Sequence, residues 1–413
     1  MEDYFYRGYY DEKFLRFLIK SNTNDKETFV CHGQGKIQEL FEICQELHLL
    51  NPNQTHEVYE LCLRQLKIMN RISETSGNWI VYPLFKVCEQ FLHMTRLLPR
   101  KKKFEKRKVE LLEECGRNIH RSFTLCLNDR NPTRMENRQL GVYSLANLEF
   151  EIYGELGNRD MCRNLIKVLS SRELMYHETP LKSHMVKFKY YVGEYYGCYE
   201  YDFAKSFEHL NDSLMRCPVN VPGPFRDQFN LIKTRILIKL IPVAMVNDQK
   251  YLNFRTLVET LLDILPGPGN SASPGVELVD FLQEKYGNLI QSFLTGDIAL
   301  YDASVRRHQV FYLQQGVYVA VQRLRDCVVL KRLKRWYARG GNAGQSVVAL
   351  KGLCGVLRVK DVAQIECQLA RLIAQGKMRG YISHGHGAVV LSKTRPFAPR
   401  ASAVSVASGT SRG

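Results

Sequence analysis

Apolar residues recur at three- and four-residue steps through most of residues 36–340. In "IQELFEICQELHLL" the repeating positions are Ile37, Leu40, Phe41, Cys44 and Leu47. In "HEVYELCLRQLKIM" they are Val58, Leu61, Leu66 and Met69. "VELLEECGRNIHRSFTLCL", "LIKTRILIKLIPV" and "VYVAVQRLRDCVVLKRL" keep the same step. That period predicts amphipathic helices. Short breaks such as "NPNQ", "TSGN", "NDRNPT", "YHETP" and "LPGPGNSASPG" separate them. Successive helices of roughly 14–20 residues with short connections predict a TPR-like stack of helical hairpins rather than one bundle.

The pattern changes after Arg339. "GGNAGQS" reads as a flexible break. Its glycine spacing is wrong for a phosphate loop, and Gln345 stands where a lysine would be needed. Two short helices are predicted next, in "SVVALKGLCG" and "DVAQIECQLARLIAQG". Asp361 is the expected N-cap of the second, with Gln364 placed for a capping box and Gly376 as its C-terminal stop. "KMRGYI" and "AVVLSK" then read as two short strands around "SHGHG". Helix, helix, hairpin is the order of a winged helix. The expected organisation is a poorly defined segment over 1–35, a helical stack over 36–340, a winged helix over 341–397 and a disordered tail over 398–413.

Charge adds a bias toward one end. The chain of 413 residues has a formal net charge of +16. Residues 301–413 hold 19 Lys and Arg against 4 Asp and Glu, so nearly all the excess lies there. An acidic partner is therefore expected at this end, either nucleic acid or protein. The 12 cysteines are scattered from Cys31 to Cys367 without a CxxC pair, as in a reduced compartment where thiols serve as small core hydrophobes. The start "MEDYFYRGYYDEKF" does not read as a secretory signal, and no run is long and apolar enough to predict a membrane span.

The candidate chemistry is phosphate-backbone binding. Lys331, Arg332, Lys334, Arg335 and Arg339 end a long predicted helix, with Arg332, Arg335 and Arg339 on one face. Arg358, Lys360, Arg371, Lys377, Arg379 and Lys393 extend the set into the winged helix, and His384 and His386 would form the wing tip. Lys and Arg that neutralise phosphates release counterions, so engaging ~6 phosphates gives a log–log salt slope of about −5. No cluster on 361–375 argues for base reading. Trp336 and Tyr337 are expected to pack between the helical and winged-helix parts. Extended, His384 and His386 would face the same side. A metal site needs at least three ligands, and the nearest cysteine, Cys367, lies on the preceding helix, so no metal is expected. No GxSxG, HExxH or supported Cys/His/Asp set appears, so no catalytic residue or cofactor is expected. "RKKKFEKRK" at 100–108 reads as an exposed loop or a nuclear-import signal. "FKYYVGEYYGCYEYDF" at 188–203 reads as the packed face of a helical hairpin.

An ordered series of segments carries a family resemblance. It runs through "KYYVG" at 189–193, "DF" at 202–203, "ILIKLIPV" at 236–243, "GD" at 296–297, His308 and "GVY" at 316–318. It ends in "GYISHGH" followed by "LSK" and "PF". Over roughly residues 80–399 this resembles a PCI domain, in which helical repeats end in a winged helix; its helical part would start at about 180. It is most similar to the branch that holds the PCI subunit of the nuclear mRNA-export complex and a signalosome-associated sister. "LPGPGNSASPG", "ARGGNAGQS" and the first 35 residues depart from that pattern.

The resemblance implies a non-enzymatic scaffold held by a long helical subunit and a small, very acidic, disordered one. It also implies RNA or DNA binding, and a nuclear, pore-associated place of action that extends to the cytoplasm in some settings. The expected function is therefore a nucleic-acid-binding scaffold in mRNA export. The alternative is a signalosome-like or proteasome-lid-like scaffold whose winged helix serves protein assembly. The excess charge at 301–413 favours the first, because protein interface cores are depleted in charge.

Overall fold

The computed structural model describes residues 12–19, 35–51, 54–101, 104–175, 182–219, 221, 223–262, 274–339 and 345–397. The Lys102–Lys103 pair, most of "LPGPGNSASPG" and "GGNAGQS", most of 1–35 and the tail 398–413 lie outside them. The described chain is mostly helical, with one small sheet near its C-terminal end. It divides into two compact units between Tyr195 and Tyr196.

The first unit contains α1 (Glu12–Leu18), α2 (Lys36–Leu49), α3 (Thr55–Ser73), α4 (Val81–Leu97), α5 (Lys108–Leu127), α6 (Val142–Glu155), α7 (Arg159–Ser171) and α8 (Lys182–Tyr195). Consecutive helices from α2 to α7 pack on one another as antiparallel hairpins do. The repeating apolar positions face inward: Leu40, Phe41, Cys44 and Leu47 on α2, and Val58, Leu61, Leu66 and Met69 on α3, are buried, with Ile37 half-buried. Cys44, Cys88, Cys115 and Cys126 are buried as well. Burial pushes the thiols of Cys44, Cys115 and Cys126 up to about 12, so they stay protonated and act as hydrophobes. Only the first part of the tyrosine-rich stretch packs as a helix face: the helix ends at Tyr195, and Tyr201 is 50% exposed. Phe188 and Tyr195 are buried, Phe188 tilts against Tyr143, and Tyr191 stacks on Phe150 at 5.6 Å.

The second unit holds α9 (Phe203–Met215), α10 (Gly223–Val246), α11 (Phe254–Leu261), α12 (Pro274–Thr295), α13 (Ile298–Gln314) and α14 (Tyr318–Arg339). After these come β1 (Val347–Ala349), α15 (Leu350–Leu357), α16 (Val362–Ala374), β2 (Gly380–Ser383) and β3 (Ala388–Leu391). Asp297 caps α13 by accepting from the amides of Ala299 and Leu300. The preceding Gly296 has φ +70°, and an added Cβ would lie 2.8 Å from the Arg332 backbone nitrogen. The α12–α13 turn therefore touches the α14 backbone directly, which only glycine permits. α14 is the spine of the unit, packing on α10, α12 and α13 and also on α15 and α16. Among the described residues, no helix is long and apolar enough to cross a membrane.

The C-terminal elements differ from the sequence expectation in three ways. "SVVALKGLCG" is not one helix: Val347–Ala349 form β1 and the helix begins at Leu350. The β-branched Val347 and Val348 suit an extended strand, and sheet pairing overrides the apolar run that suggested helix. The two wing strands are shorter than "KMRGYI" and "AVVLSK". His384 and His386 do not sit extended on one face, because residues His384–His386 form a 3-10 turn. As expected, Asp361 caps α16 by accepting from the Ala363 amide, and Gly376, at φ +66°, follows its end.

Candidate interaction surface on the winged helix

The β1, β3 and β2 strands form a three-stranded antiparallel sheet in that order. Val348 pairs with Val389, which pairs with Ile382 on the other side. That row and Leu391 face inward, since side chains alternate across a strand. Val348, Val389 and Leu391 are buried beside Leu333, Trp336, Tyr337, Leu353, Leu369, Met378 and Phe397. Trp336 and Tyr337 thus pack where the helical part meets the winged helix, and the Tyr337 ring meets Phe397 edge-on at 5.7 Å.

A second tie crosses the same junction. Asp326 of α14 is buried and ion-paired to Arg371 of α16, and it accepts from Gln375 Nε2 at 3.2 Å. Lys377 reaches Cys327 Sγ at 3.7 Å. Burial pushes the Cys327 thiol up, against the pull of that ammonium.

The outer row of the sheet is Val347, Val390 and Tyr381, paired directly across the strands. Val347 is 59% exposed and Tyr381 63%. Val390 is half-buried, and Arg379, just before β2, is exposed. β1 and β2 are the edges of this sheet. An exposed apolar row with an aromatic and an arginine has the make-up of a protein contact.

Several of the predicted nucleic-acid residues also make contacts within the fold. Arg332 Nε donates to the Val356 carbonyl at 3.3 Å, and Arg335 donates to the Thr295 carbonyl. The Lys331 amine lies 5.6 Å over the Phe293 ring and the Lys334 amine 5.8 Å over Phe397. Arg371 and Lys377 belong to the junction just described. Of the predicted helix face, Arg332 and Arg339 are exposed and Arg335 is half-buried. Arg332, Arg339, Arg358, Lys360, Arg371, Arg379 and Lys393 are exposed. Arg358 ends α15 with φ +54°.

The wing histidines separate. His384 Nδ1 lies 2.9 Å from Glu366 Oε2 on α16, while His386 Nδ1 lies 2.9 Å from Ser383 Oγ. The tip is thus stapled to α16 through an acidic side chain. α16 itself carries Asp361, Glu366 and Arg371, the last half exposed and paired to Asp326. Among the described residues, no group of three His, Cys, Asp or Glu could hold a metal. The basic run at 100–108 is interrupted by Phe104, which is buried and stacks on His56 at 5.1 Å.

Sequence reasoning missed β1, the Asp326–Arg371 tie and the outer row. The β-branched pair after "GNAGQS" was the available signal for β1. Nothing local marks Asp326 as the partner of a residue 45 positions later.

The PCI domain model matches residues 305–393, from within α13 through β3. Among curated proteins, the chain is 34% identical to Cop9 signalosome complex subunit 12 of Saccharomyces cerevisiae, over 95% of this chain and 97% of that one. It is 32% identical to COP9 signalosome complex subunit 12 of Candida glabrata, over 83% and 78%. It is 24% identical to a PCI domain-containing protein 2 homolog of Drosophila melanogaster, over 78% and 73%. With a helical stack ending in a winged helix and similarity along nearly its whole length, the chain belongs to the PCI-domain family of COP9 signalosome complex subunit 12.

Proposed function

We propose that this protein is a non-enzymatic scaffold subunit of a signalosome-type multi-subunit complex, and that its winged helix seats a protein neighbour. The observation that carries the reading is the outer sheet row of Val347, Val390 and Tyr381, apolar and open beside two strand edges. Such a row gains by being covered, and unpaired edges add main-chain hydrogen bonds to a neighbour. The names of the yeast relatives support the signalosome assignment over the mRNA-export complex that the resemblance implied and the charge favoured. The charge argument loses weight because Arg332, Arg335, Arg371 and Lys377 have structural work to do.

Backbone binding to RNA or DNA is a second reading, favoured by the exposed Arg339, Arg358, Lys360, Arg379 and Lys393. One experiment separates the two. The tagged protein is purified at moderate salt with nuclease treatment and its companions are identified. Stoichiometric signalosome-type subunits that resist nuclease are the expected result. Companions that vanish with nuclease, or a solitary protein, would overturn the scaffold reading.

A further inference from the structure

Most of the described thiols are buried and act as core hydrophobes, and those of Cys198 and Cys354 donate to the carbonyls of Gly316 and Leu350. Cys327 is placed differently. It is half-buried on α14, and the Lys377 amine lies 3.7 Å from its sulfur. A thiolate and an amine are both nucleophiles, so the pair does nothing on its own. An oxidant changes that. It converts the thiol to a sulfenic acid, whose sulfur is an electrophile, and the amine beside it is placed to attack.

The approach is held from both elements. Gly376, at φ +66°, ends α16, and the amides of Gly376 and Lys377 donate to the carbonyls of Ile373 and Leu372. The next residue, Met378, is buried, so the backbone at Lys377 is fixed on both sides. On α14, Val328 is buried, and Asp326 is tied to Arg371 and Gln375. That tie holds α14 against α16 one residue from the sulfur. Two reacting groups held this close react far faster than free groups in solution. Burial pushes the Cys327 thiol up, the Lys377 ammonium pulls it down, and Asp248 and Asp326 oppose that pull. The thiolate, the form that attacks an oxidant, is therefore favoured by mildly alkaline conditions.

We infer that Cys327 and Lys377 are a modification site, at which hydrogen peroxide drives a covalent link between α14 and the winged helix. In the first step the Cys327 sulfur takes one oxygen from the peroxide, whose O–O bond breaks, and the other oxygen leaves as water. In the second step the neutral Lys377 amine gives its electron pair to that sulfur. The S–N bond forms, the S–O bond breaks, and the oxygen leaves as water with a proton from the nitrogen. One thiol, one amine and one peroxide thus give one sulfenamide and two waters. A dithiol reductant returns both side chains by cleaving the S–N bond. The link closes a loop of about 50 residues and fixes the winged helix on α14. No partner takes part, so the inference is independent of the scaffold reading.

The test treats the purified full chain with hydrogen peroxide at about pH 8.5, where more of the thiol is ionised. The protein is then digested with trypsin without reductant and examined by mass spectrometry. The expected product joins residues 326–331 to residues 372–379, uncut at Lys377 and two hydrogens lighter than the two peptides together. Dithiothreitol removes it, and before reduction the melting temperature is higher by about 5 °C. Lys377→Arg keeps the positive charge but lacks a nucleophilic amine, and it abolishes the product, as does Cys327→Ala. Untreated Lys377→Arg melts with the untreated wild type, which shows that the loss is one of chemistry and not of fold. Cys327 recovered as a sulfinic or sulfonic acid or in a disulfide, with Lys377 cut normally, overturns the inference. So does a link from Cys327 that persists in Lys377→Arg, or an unreacted Cys327 when the exposed Cys367 has been oxidised.

Discussion

Gly296→Ala tests how closely the α12–α13 turn approaches α14. Gly296 has φ +70°, and an added Cβ would meet the Arg332 nitrogen at 2.8 Å, the Arg332 Cα at 3.1 Å and the Lys331 carbonyl carbon at 3.2 Å. All three are backbone atoms of a helix packed on several neighbours, so none can swing aside as a flexible side chain would. Two costs add. The left-handed conformation costs an L-residue about 1–2 kcal/mol. Overpacking against fixed backbone costs about 1–3 kcal/mol more. Gly376 is the control within the same unit: its φ is +66°, and an added Cβ would meet nothing within 4 Å. Gly376→Ala therefore carries the conformational cost alone. Urea unfolding of the three proteins, followed by circular dichroism, should give a loss of about 1–2 kcal/mol for Gly376→Ala. For Gly296→Ala the loss should be about 2–5 kcal/mol, with the slope unchanged. Equal losses would show that the backbone contact is absent, and a neutral Gly296→Ala would refute both parts of the reasoning.

Three further outcomes follow from the same structure. Asp326→Asn should lower stability by about 1–2 kcal/mol, a modest figure because Arg371 is half exposed and water can replace its partner; faster hydrogen exchange at the α14–α16 junction checks it, and unchanged exchange speaks against the tie. His120 lies 3.1 Å from buried Glu149. Its pKa is raised chiefly by that hydrogen bond, and the Glu149 pKa is raised by burial. The folded state then holds the His120 proton to higher pH than the unfolded one, so the His120 contribution is full below the ordinary histidine range and is lost as pH rises through the raised value. Between about pH 6 and pH 8 the wild type should lose stability relative to His120→Gln, and a constant difference would contradict this. If single-stranded RNA binds through Arg339, Arg358, Lys360, Arg379 and Lys393, the log–log salt slope should be no steeper than about −4; a steeper slope would show that further cations take part.

The fold was legible from the sequence because its main signal is periodic. The apolar steps of α2, α3, α5, α10 and α14 set the helices, and Asp361 and Gly376 marked the ends of α16 through local capping chemistry. β1 was not legible, since three residues of strand carry little pattern and owe their conformation to pairing with β3. The candidate site was legible only as composition. The count of cations was right, but composition does not tell Arg335, spent on the Thr295 carbonyl, from Arg358, left in solvent. The same limit hid Asp326, a lone acid in a basic helix that reads as an accident until Arg371 is seen beside it. Likewise Tyr381 reads as an ordinary strand aromatic until its exposure on the outer row is known.

The central claim is that the winged helix serves a protein neighbour through its outer row. The most direct test compares copurifying companions for the wild type, for Val347→Asp with Tyr381→Asp, and for Arg358→Glu with Lys360→Glu and Lys393→Glu, at matched expression and thermal stability. The account predicts that the outer-row variant loses at least one companion while the charge-reversed variant keeps them all. A full set of companions on the outer-row variant, with losses only after charge reversal, would contradict it.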